Sequence, residues 1–122
     1  MPIDADNVFH QAAEALKDKE YARAESLQRQ GCELLRVQGG DELRLAVELR
    51  LAVELETLAD IHCVQKKFEA SANEYAEVIK LREKQWPEND RCVLRPLYRL
   101  AKSHFEGQNY EAQVTAFNRG PR

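Results

Sequence analysis

Residues that interrupt helices are scarce in this sequence. Of its 122 residues, five are glycine and four are proline. Most of them fall at 39–40, 87, 107 and 120–121. The segments between them are rich in Ala, Leu, Glu, Lys, Gln and Arg, the residue types with the highest helix propensity. The sequence therefore predicts an all-α fold of about six helices, over 5–17, 20–37, 42–64, 68–85, 93–106 and 110–119.

Cysteine and long apolar runs are scarce as well. The three cysteines form an odd, scattered set, whereas a disulfide-stapled secreted domain carries an even number at close spacing. No apolar run approaches the roughly 20 residues that a membrane span needs. The amino terminus has neither the basic nor the apolar region of a signal peptide. We therefore expect reduced thiols, a cytoplasmic location and no membrane contact.

The sequence also lacks the patterns of catalytic and metal sites. It has no glycine-rich phosphate loop, no nucleophile elbow and no CxxC or HxxxH spacing. His62 and Cys63 are neighbours, and neighbouring side chains point about 100° apart on a helix. The net charge of −3 gives no general attraction to nucleic acid. We predict a protein that is not an enzyme, with no cofactor, no metal and no nucleic-acid partner.

A repeat of 42 residues is the clearest positive feature. Five residues recur at that spacing without a gap: Leu58, Ala59, His62, Phe68 and Tyr75 return as Leu100, Ala101, His104, Tyr110 and Phe117. A fixed period in this range indicates stacked units that cannot bury their apolar faces alone. Residues at equivalent positions are therefore expected to share surroundings, and a packing role is expected for both histidines.

The segment 43–55 has apolar residues at every odd position, which is typical of a half-buried strand. Its leucine, glutamate, arginine and alanine residues favour a helix instead. The hexapeptide ELRLAV occurs at 42–47 and again at 48–53. Tyr21 lies 47 residues before Phe68, so a short insertion over about 39–51 accounts for the longer first spacing.

These positions resemble the tetratricopeptide repeat family. In that family the first helix offers a small residue, here Ala59, and the second helix carries two aromatics, here Phe68 and Tyr75. The likeness is weakest over 5–38, where Gln28 stands in place of the second aromatic. The resemblance implies one domain, 1–122, made of three stacked antiparallel helix hairpins in a right-handed α-solenoid. The expected repeats are about 5–38, 48–85 and 93–119.

Two branches of the family fit the spacing. The period of 42 and the segment KLREKQWPEND resemble kinesin-light-chain repeats. Asp90-Arg91 ahead of the motif at 98–101 resembles histone chaperones of the nuclear autoantigenic sperm protein family, although the long acidic tract of that family is missing. The resemblance implies a module for protein–protein interaction that binds a peptide or a helix. The alternative is histone-chaperone-like binding of a basic partner.

The first helices of successive repeats line a groove in this family. By offset, the resemblance places six partner-binding residues there: Glu56 and Asp60 from the second repeat, and Arg95, Tyr98, Arg99 and Lys102 from the third. Cations around a tyrosine can hold a carboxylate by charge-assisted hydrogen bonds. Pro96 restricts its helix, because proline fits only the first turn, so that helix is predicted to begin near Val93.

The last predicted helix leaves an apolar face at Val114 and Phe117. Repeat arrays cover such a face with a polar capping helix. We therefore expect the carboxy-terminal end to take part in binding: the chain pairs with itself across this face, exchanges helices or belongs to a larger array. Of these we predict a homodimer through the C-terminal helix.

Overall fold

The computed structural model describes residues 4–38 and 44–119, with side chains as far as residue 116. Five helices make up this part of the chain: α1 (Ala5–Lys17), α2 (Tyr21–Val37), α3 (Arg44–Val64), α4 (Phe68–Glu83) and α5 (Arg91–Arg119). The described ranges contain no strand, so the all-α prediction is confirmed. The prediction of about six helices is wrong, because 93–106 and 110–119 are parts of the single helix α5.

The first two hairpins use the same turn. Lys19 and Lys66 have left-handed backbones, with φ of 61° and 65°. The next amides, those of Glu20 and Lys67, each donate to the carbonyl five residues earlier at 2.8 Å. This pattern closes a helix end and reverses the chain. It produces the two antiparallel pairs α1–α2 and α3–α4.

One apolar core joins these four helices. Its buried members are Ala5, Phe9, Cys32, Leu35, Leu51, Ala52, Leu55, Leu58 and Val78. Burial on α3 follows the three-and-four spacing of a helix rather than the alternation of a strand. The helical prediction for 44–55 is therefore confirmed, and residues 44–51 of the predicted insertion form the first part of α3. Leu43 and the rest of the insertion lie outside the described residues.

Helices α1 and α5 each begin directly after an aspartate whose carboxylate caps the first turn. The Asp4 side chain accepts the amide of Asp6 at 3.1 Å, and that of Asp90 accepts the amide of Cys92 at 3.0 Å. Such bonds satisfy amides that lack a partner in the first turn. Each of the two aspartates lies directly before the first residue of its helix.

The third predicted hairpin does not form. Gly107, expected to end a helix, lies inside α5, where an added Cβ would lie 3.2 Å from the Cβ of Phe68. Tyr110 meets the Phe68 ring edge-on, with ring centroids 6.0 Å apart. Phe68 is 9% exposed and its repeat equivalent Tyr110 is 41% exposed, so their surroundings differ. Continuing the helix keeps the backbone hydrogen bonds and lets Tyr110 cover Phe68.

Pro96 lies in the second turn of α5, which begins at Arg91 rather than near Val93. Because proline has no amide hydrogen, it cannot bond to the carbonyl of Cys92, four residues earlier. The Arg82 guanidinium donates to that carbonyl at 3.1 Å instead. The side chain of α4 thus satisfies the group that Pro96 leaves without a partner.

Among the described residues, none of the helices combines the length and apolar character required to cross a membrane.

Candidate functional site

A cleft of about 470 Å³ opens where α3, the end of α4 and the first turns of α5 meet. We call it the arginine cleft. It is lined by Leu49, Val53, Glu56, Arg82, Trp86, Asp90, Arg91, Cys92 and Arg95. The cleft therefore combines apolar walls with three guanidinium groups.

Each wall comes from a different helix. Leu49 and Val53 lie four residues apart on α3, so both reach the same face. Arg91 and Arg95 have the same spacing on α5 and face the cleft together. Trp86 follows the end of α4 and lies between the two walls in the chain order. The sequence thus folds into a site with one apolar side and one cationic side.

Arg82 is held in place by two other helices. It forms an ion pair with the Glu56 carboxylate of α3 and donates to the Cys92 carbonyl of α5. Its side chain is largely buried, and so is that of Glu56. The negative charge of Glu56 is thereby balanced. Arg82 holds the helices together and is not available to a ligand.

Arg91 and Arg95 have no such partner. Within residues 4–38 and 44–119, neither guanidinium has a carboxylate oxygen within the 4.0 Å that defines an ion pair. Asp90 is the nearest acid in sequence, and it accepts the Cys92 thiol and amide at 2.9 and 3.0 Å. These bonds, with the charge of Arg91, hold the pKa of Asp90 below its usual value. Two exposed arginines therefore face the cleft with their hydrogen-bonding capacity unused.

The predicted partner-binding residues divide into two groups. Glu56, Asp60 and Arg99 lie together, because the Arg99 guanidinium is 3.2 Å from Asp60 and 4.0 Å from Glu56. Arg95 shares the arginine cleft with Glu56. The Tyr75 hydroxyl also donates to Asp60, and burial together with this bond raises the pKa of Tyr75.

The remaining two predicted residues, like Asp60 and Arg99, lie outside the cleft lining. Tyr98 is 69% exposed, and the Lys102 ammonium is 3.8 Å from Glu106 on the same helix. The three cations that were expected to act together around Tyr98 therefore differ in their contacts. Arg99 and Lys102 already have acidic partners, while Arg95 does not.

Sequence reasoning missed Arg82 and Arg91 as site residues. Two signals were present. Arg91 and Arg95 have the spacing of one helix face. Pro96 follows Cys92 by four residues, which marks a carbonyl in need of an outside donor.

No family model, curated protein or solved structure matches this chain. The geometry of its own residues is therefore what supports a function.

A second cluster of charges lies in the interior, around His62. The ring is 2% exposed. Its Nδ1 lies 2.6 Å from the Glu74 carboxylate and its Nε2 lies 2.9 Å from that of Glu25. A neutral imidazole can donate from only one nitrogen, so two carboxylate partners favour the imidazolium. Burial works against that charge, but the two carboxylates raise the pKa of His62 above its usual value.

Glu25 connects this cluster to the surface. Burial alone would raise its pKa, but hydrogen bonds from Lys67, His62 and Gln65 lower it to about 2. The Lys67 ammonium lies 2.9 Å from one Glu25 oxygen. The cluster joins α2, α3 and α4, and within the described ranges no group of three or more His, Cys, Asp or Glu side chains has the arrangement of a metal site. We assign it a structural role.

The histidine at the equivalent repeat position has different surroundings. His104 is exposed on α5 and lines a second cleft, of about 720 Å³, between α4 and α5. The expected packing role is therefore wrong for His104. His62 is buried as expected, but its two ring nitrogens contact the carboxylates of Glu74 and Glu25.

Proposed function

We propose that this protein is a non-catalytic protein–protein interaction module, and that its arginine cleft binds an acidic segment of a partner protein. The observation that carries the proposal is the position of Arg91 and Arg95. Both face a cleft with an apolar wall, and neither has an acidic partner among the described residues. A segment with carboxylates and one apolar anchor would complement both sides.

Arginine suits this role because its planar guanidinium binds a carboxylate through two parallel hydrogen bonds. Trp86 and Val53 supply the surface on which an apolar side chain of the ligand would lie. Tryptophan and arginine are also enriched among the residues that dominate binding energy. The tetratricopeptide resemblance supports the same kind of ligand, a short peptide or helix in a groove between repeats.

The thiol in the cleft supports a binding role over a catalytic one. Burial and the hydrogen bond to Asp90 raise the pKa of Cys92. Since the thiolate is the nucleophilic form, this environment disfavours reactivity.

A basic partner, as a histone chaperone would bind, is less well supported. The acids that would hold it, Glu56 and Asp60, already pair with Arg82 and Arg99. Binding a basic segment there would require breaking these pairs, two of whose members are largely buried.

The fluorescence of Trp86, the sole tryptophan, provides a direct test. Two synthetic peptides would be titrated, each with a central leucine, one flanked by glutamates and the other by lysines. We expect the acidic peptide to change the emission and the basic peptide to have no effect. In Arg91→Glu and Arg95→Glu variants, we expect affinity for the acidic peptide to fall by about tenfold or more, since each lost charge-assisted bond contributes roughly 1.5 kcal/mol.

Lys17→Glu is the matched control, because it makes the same charge change on α1, outside the cleft. It should bind the acidic peptide as wild type does, apart from a small effect of net charge that disappears at higher salt. Preference for the basic peptide, or equal weakening by all three substitutions, would contradict the proposed site.

A further inference from the structure

An apolar stripe runs along α5 on the side away from its neighbours. We define the α5 stripe as Leu94, Leu97, Tyr98, Ala101, Phe105, Ala112 and Ala116. All seven side chains are exposed, and Phe105, near the middle, is 65% exposed. At about 100° per residue they fall within an arc of roughly 100°, the width of a helix face that packs against a partner.

Other faces of the same helix are already in use. Ser103 is buried against α4, where its hydroxyl lies 3.2 Å from that of Ser71. Arg99 faces α3 through Asp60. The α5 stripe is therefore separate from both internal interfaces. None of its residues lines the arginine cleft, and the inference drawn from it does not depend on the proposed function.

The 42-residue repeat shows that this face normally requires a cover. Leu94, Leu97 and Ala101 correspond to Ala52, Leu55 and Ala59 on α3. All three of the α3 residues are buried. The same positions on α5 are uncovered because α5 continues straight where α3 turns back.

Side-chain size along the stripe indicates what covers it. Three large residues, at 94, 97 and 98, lie in the first half of α5 together with Ala101, whereas the two stripe residues of the second half, at 112 and 116, are both small. If a second α5 runs antiparallel, with the two copies of Phe105 at the centre, Leu94 faces Ala116 and Tyr98 faces Ala112. Large side chains then meet small ones at both ends, which is the condition for close packing of two helices.

We propose that the α5 stripe binds a second copy of this chain, forming a two-fold symmetric antiparallel pair of α5 helices centred on Phe105. From Leu94 to Ala116 the stripe is about 33 Å long at about 1.5 Å per residue. At a helix width of about 10 Å, a face of this length covers about 330 Å², which is less than the roughly 800 Å² per partner of a standard interface. Association should therefore depend on concentration in the micromolar range.

Sedimentation equilibrium of the full chain tests the proposal. We expect wild type to shift from a 14.1 kDa species toward twice that mass as its concentration rises. Ala101→Glu should weaken association by about tenfold or more, because the symmetry places two unpaired carboxylates in the interface. Gln113→Glu adds the same charge about 120° around the helix and should associate as wild type does.

A pair of variants tests the antiparallel arrangement. Leu94→Lys and Ala116→Glu should each weaken self-association, and mixing them should restore it. In the mixed dimer lysine faces glutamate at one end, and the wild-type pair is kept at the other. Far-UV circular dichroism would show that each variant keeps the wild-type helix content.

Three results would overturn the inference. One is a 14.1 kDa species at every concentration up to about 100-fold above the micromolar range, which would indicate that the chain covers the stripe itself or leaves it bare. Another is a dimer that Ala101→Glu does not weaken. The third is a failure of the mixed variants to associate better than either alone.

Discussion

His62 is the residue whose ionisation the fold controls most directly. Its folded pKa is raised above the ordinary 6.5 by Glu74 and Glu25 despite burial. The stabilisation it provides is therefore complete below about pH 6.5 and is lost as the pH rises through the folded pKa. Glu25 has the opposite sign: its folded pKa of about 2 is lower than the ordinary 4.5, so its contribution is lost as the pH falls below about 4.5.

The first prediction concerns this pH range. We expect the free energy of unfolding to be highest between about pH 4.5 and 6.5, and to fall on the alkaline side by roughly 1.4 kcal/mol for each unit by which the His62 pKa is raised. His62→Gln should remove the alkaline fall and cost about 2 to 3 kcal/mol at pH 6. Urea denaturation across the pH range measures both effects.

His10→Gln is the control for this measurement, because it makes the same substitution at a histidine that is exposed on α1. The alkaline fall should persist in this variant. An alkaline fall that survives in His62→Gln would show that another group causes it.

The second prediction concerns Arg82 and Pro96. Arg82→Met removes the donor to the Cys92 carbonyl and the partner of Glu56, so we expect a loss of about 2 to 4 kcal/mol. Pro96→Ala restores a backbone donor for the same carbonyl. In the Pro96→Ala background Arg82→Met should therefore cost about 1 kcal/mol less.

Chemical denaturation of the two single variants and the double variant measures this coupling. Purely additive losses would mean that Arg82 does not substitute for the missing amide of Pro96, and its importance would then rest on Glu56 alone.

At the scale of whole helices, the sequence predicts most of the bounds. The α1 prediction of 5–17 matches because Asp4 caps its start. Helical residue types correctly outweighed strand-like alternation in α3. The prediction of a third hairpin was wrong because side-chain types alone do not specify where the chain turns. Lys19 and Lys66 turn the chain with positive φ although neither is glycine, so these turns are set by packing against the next helix rather than by residue type.

Gln108, the repeat equivalent of Lys66, also shows that residue type alone does not determine where the chain turns. It stays helical within α5, although the flanking residues His104, Glu111 and Ala112 repeat His62, Glu69 and Ala70 of the earlier turn. Similar side-chain patterns thus allow both a turn and a straight helix. The arrangement of Phe68, Gly107 and Tyr110, which accompanies the straight form, involves residues about 40 apart in sequence.

The third prediction compares Lys66 with its repeat equivalent Gln108. Lys66→Gly should stabilise the protein by about 1 kcal/mol, because glycine adopts positive φ without strain. Gln108→Gly should destabilise it by about 1 kcal/mol, because glycine is unfavourable within a helix. Thermal unfolding of the two variants gives the signs, and stabilisation by both substitutions would indicate a turn at residue 108.

For the molecule as a whole, α5 presents separate faces to its surroundings. The arginine cleft uses Arg91 and Arg95, and the α5 stripe lies on another side. The cleft could be predicted only in part, since Arg95 and Glu56 came from the repeat offset. Arg91 and Trp86 became site residues only once the end of α4 and the first turns of α5 were placed together.

The fourth prediction is that the two surfaces act independently. Arg95→Glu should weaken binding of the acidic peptide by about tenfold or more and leave self-association as in wild type. Phe105→Glu should abolish self-association and leave peptide affinity within about twofold of wild type, because distant sites are close to additive. Sedimentation and Trp86 fluorescence on the same samples measure both. Loss of both activities in either variant would mean that the surfaces are coupled or that the variant is misfolded.

The account depends most on α5 being one continuous helix, because a turn near residue 108 would cover the stripe with the chain itself. Backbone chemical shifts of the wild-type protein in solution measure this directly, with Lys19 and Lys66 as internal references for positive φ. We predict uninterrupted helical shifts through Gly107, Gln108 and Asn109. Left-handed shifts at Gln108, like those of the two lysines, would contradict the account.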